Sequence, residues 1–101
     1  MSVIAVKPLA RREIASALSW WLENRTKNPK LLSLELRAAF KRLEISPGIG
    51  SPVDDEPAAR RLLLVMTGWW IYYYYDKKAN VVYVLRFWHG RREVEPDVEI
   101  P

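Results

Sequence analysis

The chain opens on a short apolar run, Val3-Ile4-Ala5-Val6, stopped at Pro8. Proline cannot donate into a strand ladder but suits the first turn of a helix, so a strand is expected to end there and a helix to begin. From Leu9 the apolar residues fall at Ile14, Leu18, Trp21 and Leu22, the i, i+4, i+7, i+8 spacing of an amphipathic helix. Arg11, Arg12, Glu13 and Glu23 lie mostly off that stripe, and the helix is expected to end between Asn24 and Asn28. A second helix is expected to start at Asn28-Pro29, a capping residue followed by proline at the first helical position. Its stripe is Leu32, Leu36, Ala39, Phe40 and Leu43, with Lys41 and Arg42 in the last turns, where cations suit the macrodipole. Two such helices cannot bury both stripes against each other alone; they need a sheet to lie on.

The rest of the chain reads as β. Residues 45–57, with three prolines, two glycines and the acidic triplet Asp54-Asp55-Glu56, read as an irregular, mobile loop. Leu62 to Met66 is a continuous apolar run, expected as a strand buried on both faces. Thr67-Gly68 is a turn candidate. Trp69 to Tyr75 has no strand breaker and is rich in residues that favour pleated surfaces. After a turn over 76–80, Val81 to Trp88 closes the set, with Val81, Tyr83, Leu85 and Phe87 expected on one face and Val82, Val84, Arg86 and Trp88 on the other. The short connections predict an antiparallel meander of these three strands, with the first strand joining the same sheet after the helical pair crosses one face. The fold class is therefore α+β: strand, helical hairpin, three-stranded meander. The tail from Val94 alternates acidic and apolar residues and is expected to be extended or frayed.

Length and composition fit one small domain spanning residues 1–101. Half of the residues are hydrophobic, including five Trp and five Tyr, so a core is expected without covalent staples. The absence of Cys excludes disulfides and thiolate metal sites. No signal-peptide pattern and no apolar run of about 20 residues is present, so a cytoplasmic protein with no membrane partner is expected. Nothing in the pattern calls for a cofactor or a metal. The net charge is +4, concentrated at Arg11-Arg12, Arg37 to Arg42, Arg60-Arg61 and Arg86 to Arg92, which suits an acidic partner or a nucleic acid.

Element order and local motifs together resemble the RelE/ParE superfamily of bacterial toxins. The resemblance rests on Ala10, Ile14 and Leu18 after a short first strand, and on a Pro47-Gly48 and Gly50 loop leading to Arg60-Arg61. It rests further on Gly68-Trp69-Trp70-Ile71-Tyr72-Tyr73 and on the closing Val84-Leu85-Arg86-Phe87-Trp88-His89-Gly90-Arg91-Arg92 with its His-x-x-Arg ending. It implies the toxin half of a type II toxin–antitoxin pair in a hetero-oligomer, with an acidic antitoxin whose C-terminal segment wraps the toxin. It also implies one of two actions, which fold alone does not choose between. ParE-like members act on DNA gyrase by binding it. RelE-like members cut messenger RNA on the ribosome.

For cleavage, His89 is the candidate acid or base, and Arg60, Arg61, Arg86 and Arg91 the candidate phosphate binders. The bland alternative makes His89 a hydrogen-bonded residue at a strand end and pairs the arginines with carboxylates. RelE-like ribonucleases commonly carry a Tyr or similar group just after the His/Arg ending; here Val94, Glu95 and Pro96 follow, and Lys41 is the main helical lysine. The resemblance therefore leans to the ParE branch, with gyrase as partner and no catalytic residue. A third reading is a non-toxic family member acting as a binding module. Trp20 is expected to be exposed while Trp21 is buried, and Trp69 and Trp70 must face opposite sides of the sheet. Trp20, Arg60, Trp70, Arg91 and Arg92 are the expected partner-binding residues.

Overall fold

The computed structural model covers residues 1–101. Strand β1 (Val3–Val6) leads to helix α1 (Pro8–Asn24) and helix α2 (Leu31–Ile45). Strands β2 (Ser51–Val53), β3 (Glu56–Leu64), β4 (Trp69–Asp76) and β5 (Val81–His89) follow. All five strands form one sheet in the order β1-β5-β4-β3-β2. The meander β3-β4-β5 is antiparallel as expected, and β1 pairs parallel with β5, the helical pair forming the crossover. The architecture is α+β.

Helix α1 starts at Pro8 and stops when Arg25 leaves the helical region, its N–H closing on the Trp21 carbonyl. Its buried stripe is Ala10, Ala17 and Trp21, with Ile14 and Leu18 half-buried, whereas Leu22 is exposed. The stripe thus runs one residue short of the expected end. Helix α2 starts later than Asn28-Pro29. The Asn28 carbonyl accepts both the Leu31 N–H and the Trp21 indole N–H (2.9 Å for the indole), which holds 28–30 in a turn and leaves Lys30 as the flanking residue. Leu32, Leu36, Ala39 and Leu43 are buried as the periodicity required.

The loop between α2 and β3 is not the mobile connection expected. Ser51–Val53 pairs antiparallel with β3, and the Gly50 N–H donates to the Tyr73 hydroxyl at 2.9 Å. A Cβ at Gly50 would lie 2.6 Å from the Arg61 carbonyl oxygen and 2.8 Å from the Tyr73 hydroxyl, so only glycine allows this approach. The apolar run at 62–66 is also divided differently. Leu62 and Leu64 are core residues, whereas Val65 and Met66 leave the strand and stand in the turn 78% and 68% exposed.

Strand β5 carries the most consequential departure from strict alternation. Tyr72 pairs with Arg86 but Tyr73 pairs with Val84, so Leu85 is an extra, unpaired residue. The bulge shifts the phase of the strand. Val82 and Val84 face the helices before it and Phe87 faces them after it, so the expected faces exchange at Leu85. The helix-side core joins these to Leu62, Leu64, Ile71, Tyr73 and the two helical stripes. Trp69 stacks on Phe87 at 4.9 Å in the same layer.

The opposite face is also covered. Val53, Ala59 and Tyr72 form a second cluster with Trp70 and Trp88, and Val98 and Ile100 of the tail pack onto it. The tail has no regular secondary structure, as expected, but it is strapped down rather than frayed. The Val94 carbonyl accepts the Trp88 indole N–H at 2.9 Å, the Asp97 carbonyl accepts from Arg86 at 2.7 Å, and Glu95 pairs with Arg61 at 2.9 Å. No helix of the protein is long and apolar enough to cross a membrane.

One carboxylate joins the helical layer to the sheet where β1 has ended. Glu13 accepts from Arg86 Nε and Nη2 at 3.0 and 2.9 Å and from the Phe87 N–H at 3.1 Å. The Glu13 hydrogen bonds raise the Arg86 pKa further above its ordinary value, against the opposing effect of desolvation. Removing the carboxylate leaves the largely buried Arg86 guanidinium with only the Asp97 carbonyl as acceptor and the Phe87 N–H with none. Glu13→Ala is therefore expected to cost about 2–4 kcal/mol of stability, read as a fall in denaturation midpoint at constant slope. Glu13→Gln should cost less, because its amide oxygen still accepts from Phe87.

Candidate functional site

The largest open concavity lies at the end of the sheet where β3, β4 and β5 reach the last turn of α1. It measures about 770 Å³. Its apolar walls come from Trp20 and Trp21 of α1, from Trp69 and Trp70 of β4, and from Leu63, Val65 and Met66 around the β3–β4 turn. The cations on it are Arg25 and Arg91, with His89 between the strand ends, and no carboxylate lines it. Its floor is fixed by backbone. The Gly68 N–H donates to the Leu64 carbonyl and the Gly90 N–H to the Gly68 carbonyl, each at 2.8 Å. Gly68 has φ +85°, a conformation that favours glycine and closes this turn.

His89 packs edge-on against Trp69, and its Nδ1 accepts the Arg91 backbone N–H at 3.1 Å. Nδ1 is therefore unprotonated in this arrangement. Partial burial and then the neighbouring Arg91 charge hold the imidazole pKa below its ordinary value of 6.5, while a hydrogen bond to the Thr67 backbone pulls the other way. His89 is accordingly neutral at physiological pH and serves as the acceptor that shapes the 89–92 turn. A neutral imidazole with one nitrogen so engaged has only the other for proton transfer.

Of the residues singled out from the sequence, the groove gathers Trp20, Trp70, His89 and Arg91. Trp20 is 45% exposed and Trp21 8%, as helix geometry required. The other arginines lie elsewhere. Arg60 stands on the helix side of β3, donating to the Gly50 carbonyl at 2.7 Å. Its strand partner Tyr73 is four residues along β4 from Trp69, the partner of His89. That offset is roughly 13 Å at about 3.3 Å per residue. Arg61 is on the opposite face, stacked over Trp70 at 4.3 Å and paired with Glu95. Arg86 is committed to Glu13 and the tail, and Arg92 stacks over Trp88 at 4.0 Å on that same second face. Of the candidate phosphate binders Arg60, Arg61, Arg86 and Arg91, the groove brings only Arg91 beside His89.

Arg25 was not singled out from the sequence. Its guanidinium lies 4.9 Å from the Trp20 ring and 5.8 Å from the Trp21 ring, forming a cation–aromatic rim. Its place just past the end of α1, beside the Trp pair, is the only signal the sequence carried. The Trp69 indole nitrogen is buried without a hydrogen-bond partner.

This geometry can be set beside known proteins. Among solved structures the chain is similar to the isolated Escherichia coli RelE toxin, with a TM-score of 0.61 and 16% identity over 92% of this chain and 88% of that one. It is similar to the same degree, TM-score 0.61 and 16% identity, to a chain of the intact E. coli RelBE toxin–antitoxin complex, over 91% of this chain and 100% of that one. The fold is thus that of the RelE/ParE superfamily. No match was found among curated proteins. The family model of the ParE toxin of the type II toxin–antitoxin system parDE matches residues 4–94, and the chain belongs to that family.

His89 is the only histidine of the chain, so its ring protons titrate without overlap in an NMR spectrum. The midpoint is expected below 6.5. Because the folded pKa lies below the unfolded one, the associated stability is complete above pH 6.5 and is lost as pH falls through the folded value. A midpoint at or above 6.5 would contradict this account of the turn.

Proposed function

We propose that this protein is the toxin half of a type II toxin–antitoxin pair, held inactive by an acidic antitoxin that docks on its tryptophan-lined, cationic groove. The observation that carries the reading is the family match over residues 4–94, together with a groove that has apolar walls, Arg25 and Arg91, and no carboxylate. An acidic amphipathic segment is the ligand such a surface suits. The RelBE complex, a toxin bound to its antitoxin on this fold, is in keeping with it.

Two actions for the free toxin stand on different observations. Binding of a protein target, with DNA gyrase as the ParE-like candidate, is supported by the side chains. The His89 Nδ1 is taken up by the Arg91 N–H of its own turn, Arg60 donates to the Gly50 carbonyl, and Arg61 and Arg86 are paired with carboxylates. Ribosome-dependent cleavage of messenger RNA is supported by the likeness of the fold to RelE and by the placement of His89 and Arg91 in a groove with stacking aromatics.

Expression of the chain alone should arrest growth, and co-expression of the acidic protein encoded beside it should relieve the arrest. Normal growth with soluble, full-length protein would leave a non-toxic binding module of the family. Purified toxin, assayed for gyrase supercoiling and for cleavage of ribosome-bound message, then separates the actions. On the binding reading supercoiling is inhibited, message stays intact and His89→Ala changes little beyond local stability. On the cleavage reading message is cut and His89→Ala lowers the rate by roughly 10²–10⁴, the scale of a lost acid–base group.

A further inference from the structure

The β3–β4 turn is held from outside by a residue that the sheet itself does not require. The Glu35 carboxylate, on α2, accepts from the Met66 N–H at 2.7 Å, from the Thr67 N–H at 3.0 Å and from the Thr67 hydroxyl at 2.7 Å. Helix α2 is already seated by Leu32, Leu36, Ala39 and Leu43, so these three bonds are not what packs it. The meander is already closed by the Gly68 N–H on the Leu64 carbonyl. What Glu35 adds is a fixed direction for Val65 and Met66, two aliphatic side chains that line the groove while mostly exposed to solvent.

We infer that Glu35 is a positioning residue for partner binding: by latching the β3–β4 turn it presets Val65 and Met66 as the aliphatic wall of a docking groove for an acidic amphipathic segment of the antitoxin. The inference rests on the antitoxin reading above and specifies which wall of the groove takes the segment's apolar residues. Charge complementarity selects the occupant. Arg25 and Arg91 meet its carboxylates, no carboxylate lines the groove, and the Glu35 carboxylate behind the wall is engaged by the Met66 and Thr67 donors. At this wall, as distinct from the tryptophan side of the groove, the chemistry suits a peptide's apolar side chains. Bases gain from stacking on rings, whereas Val65 and Met66 offer none, and methionine is suited to repacking around a bound side chain. A wall fixed in advance also lowers the ordering cost of association, which is where a latch remote from the contact itself would act.

The test is a double-mutant cycle on the full chain, with the purified acidic protein encoded beside it as ligand and titration calorimetry as readout. Met66→Asp replaces an exposed side chain, its fold checked by circular dichroism and denaturation midpoint, and puts a like charge against the partner; affinity should fall at least about tenfold, the scale of a lost anchor. Glu35→Ala should lower affinity, Glu35→Gln less so because its amide oxygen still accepts, and amide exchange at Met66 and Thr67 should quicken in the same order. If Glu35 acts through the wall, adding Glu35→Ala to Met66→Asp should cost little more than Met66→Asp alone. Full additivity, or wild-type affinity in Glu35→Ala with quickened exchange, would overturn the positioning role. Wild-type affinity in Met66→Asp would remove the segment from this wall. Loss of toxicity in Met66→Asp with wild-type antitoxin affinity would assign the wall to the target instead, and the inference would fail while the toxin–antitoxin reading stands. No binding by the wild-type chain would overturn both.

Discussion

One extra residue in β5 governs what each side of the sheet presents. Strand β1 is four residues long and β5 nine, so β1 accompanies β5 only as far as Val84. At the next residue, Leu85, β5 bulges. Because side chains alternate with period two, a one-residue insertion exchanges the faces of everything after it. Phe87 is thereby turned into the helical core behind Val82 and Val84, and Arg86 and Trp88 are turned out of it. Without the bulge an ionised guanidinium would lie under α1 and a phenyl ring would face the tail. The bulge also frees the Phe87 N–H beyond the end of β1, and Glu13 occupies that edge with a carboxylate in place of a strand carbonyl. Packing, edge protection and charge placement thus meet at three consecutive residues.

The same phase decides which cations remain for recognition. On the second face, Arg61 and Arg92 lie over Trp70 and Trp88, and the acidic tail answers Arg61 through Glu95. Exposed pairs of this kind contribute only about 0–1 kcal/mol each, so the tail is held chiefly by Val98 and Ile100 and by the indole and guanidinium bonds to its carbonyls. At the open end of the sheet, Arg25 and Arg91 have no carboxylate partner. The net charge of +4 is therefore a poor guide to the binding surface, because Arg61 and Arg86 are paired with carboxylates and Arg92 is stacked on Trp88 away from the groove.

How much was legible in the sequence follows from the range of the interactions involved. The helical stripes and the aromatic strands are local patterns, and they located α1, α2, β4 and β5 to within a few residues. Trp20 could be read as exposed beside a buried Trp21, and Trp69 and Trp70 as facing opposite sides of the sheet, because local periodicity fixes those faces. The bulge could not be read, because a run such as Val84-Leu85-Arg86-Phe87 is compatible with either phase. The fates of Arg86 and Arg61 were hidden for a related reason. Their partners Glu13 and Glu95 are 73 and 34 residues away in the chain, and nothing local points to them. Val65 and Met66 were misread because an apolar run gives the same signal whether its end enters the core or stands at the rim of a groove. Only the closing of the turn at Gly68 distinguishes the two.

The ParE family assignment and the RelE-like fold are compatible because a fold shared at 16% identity speaks for the scaffold and not for the reacting groups it carries. In this chain the end of the sheet is lined mostly by apolar side chains. Tryptophans and aliphatics form the walls, two cations stand at the rim, and the histidine is drawn into the backbone of its own turn. Acid–base chemistry would need a second group at the proton-transfer distance of about 2.6–3.2 Å from substrate, with a pKa matched to its task. Here the residues after the His/Arg ending, Val94 to Ile100, fold back along the second face and are held there by Arg61, Arg86 and Trp88. The tail completes the second hydrophobic face, with Glu93, Val94 and Glu95 beside Trp70 and His89 at its start and Val98 and Ile100 packed on Val53, Ala59 and Tyr72 further on.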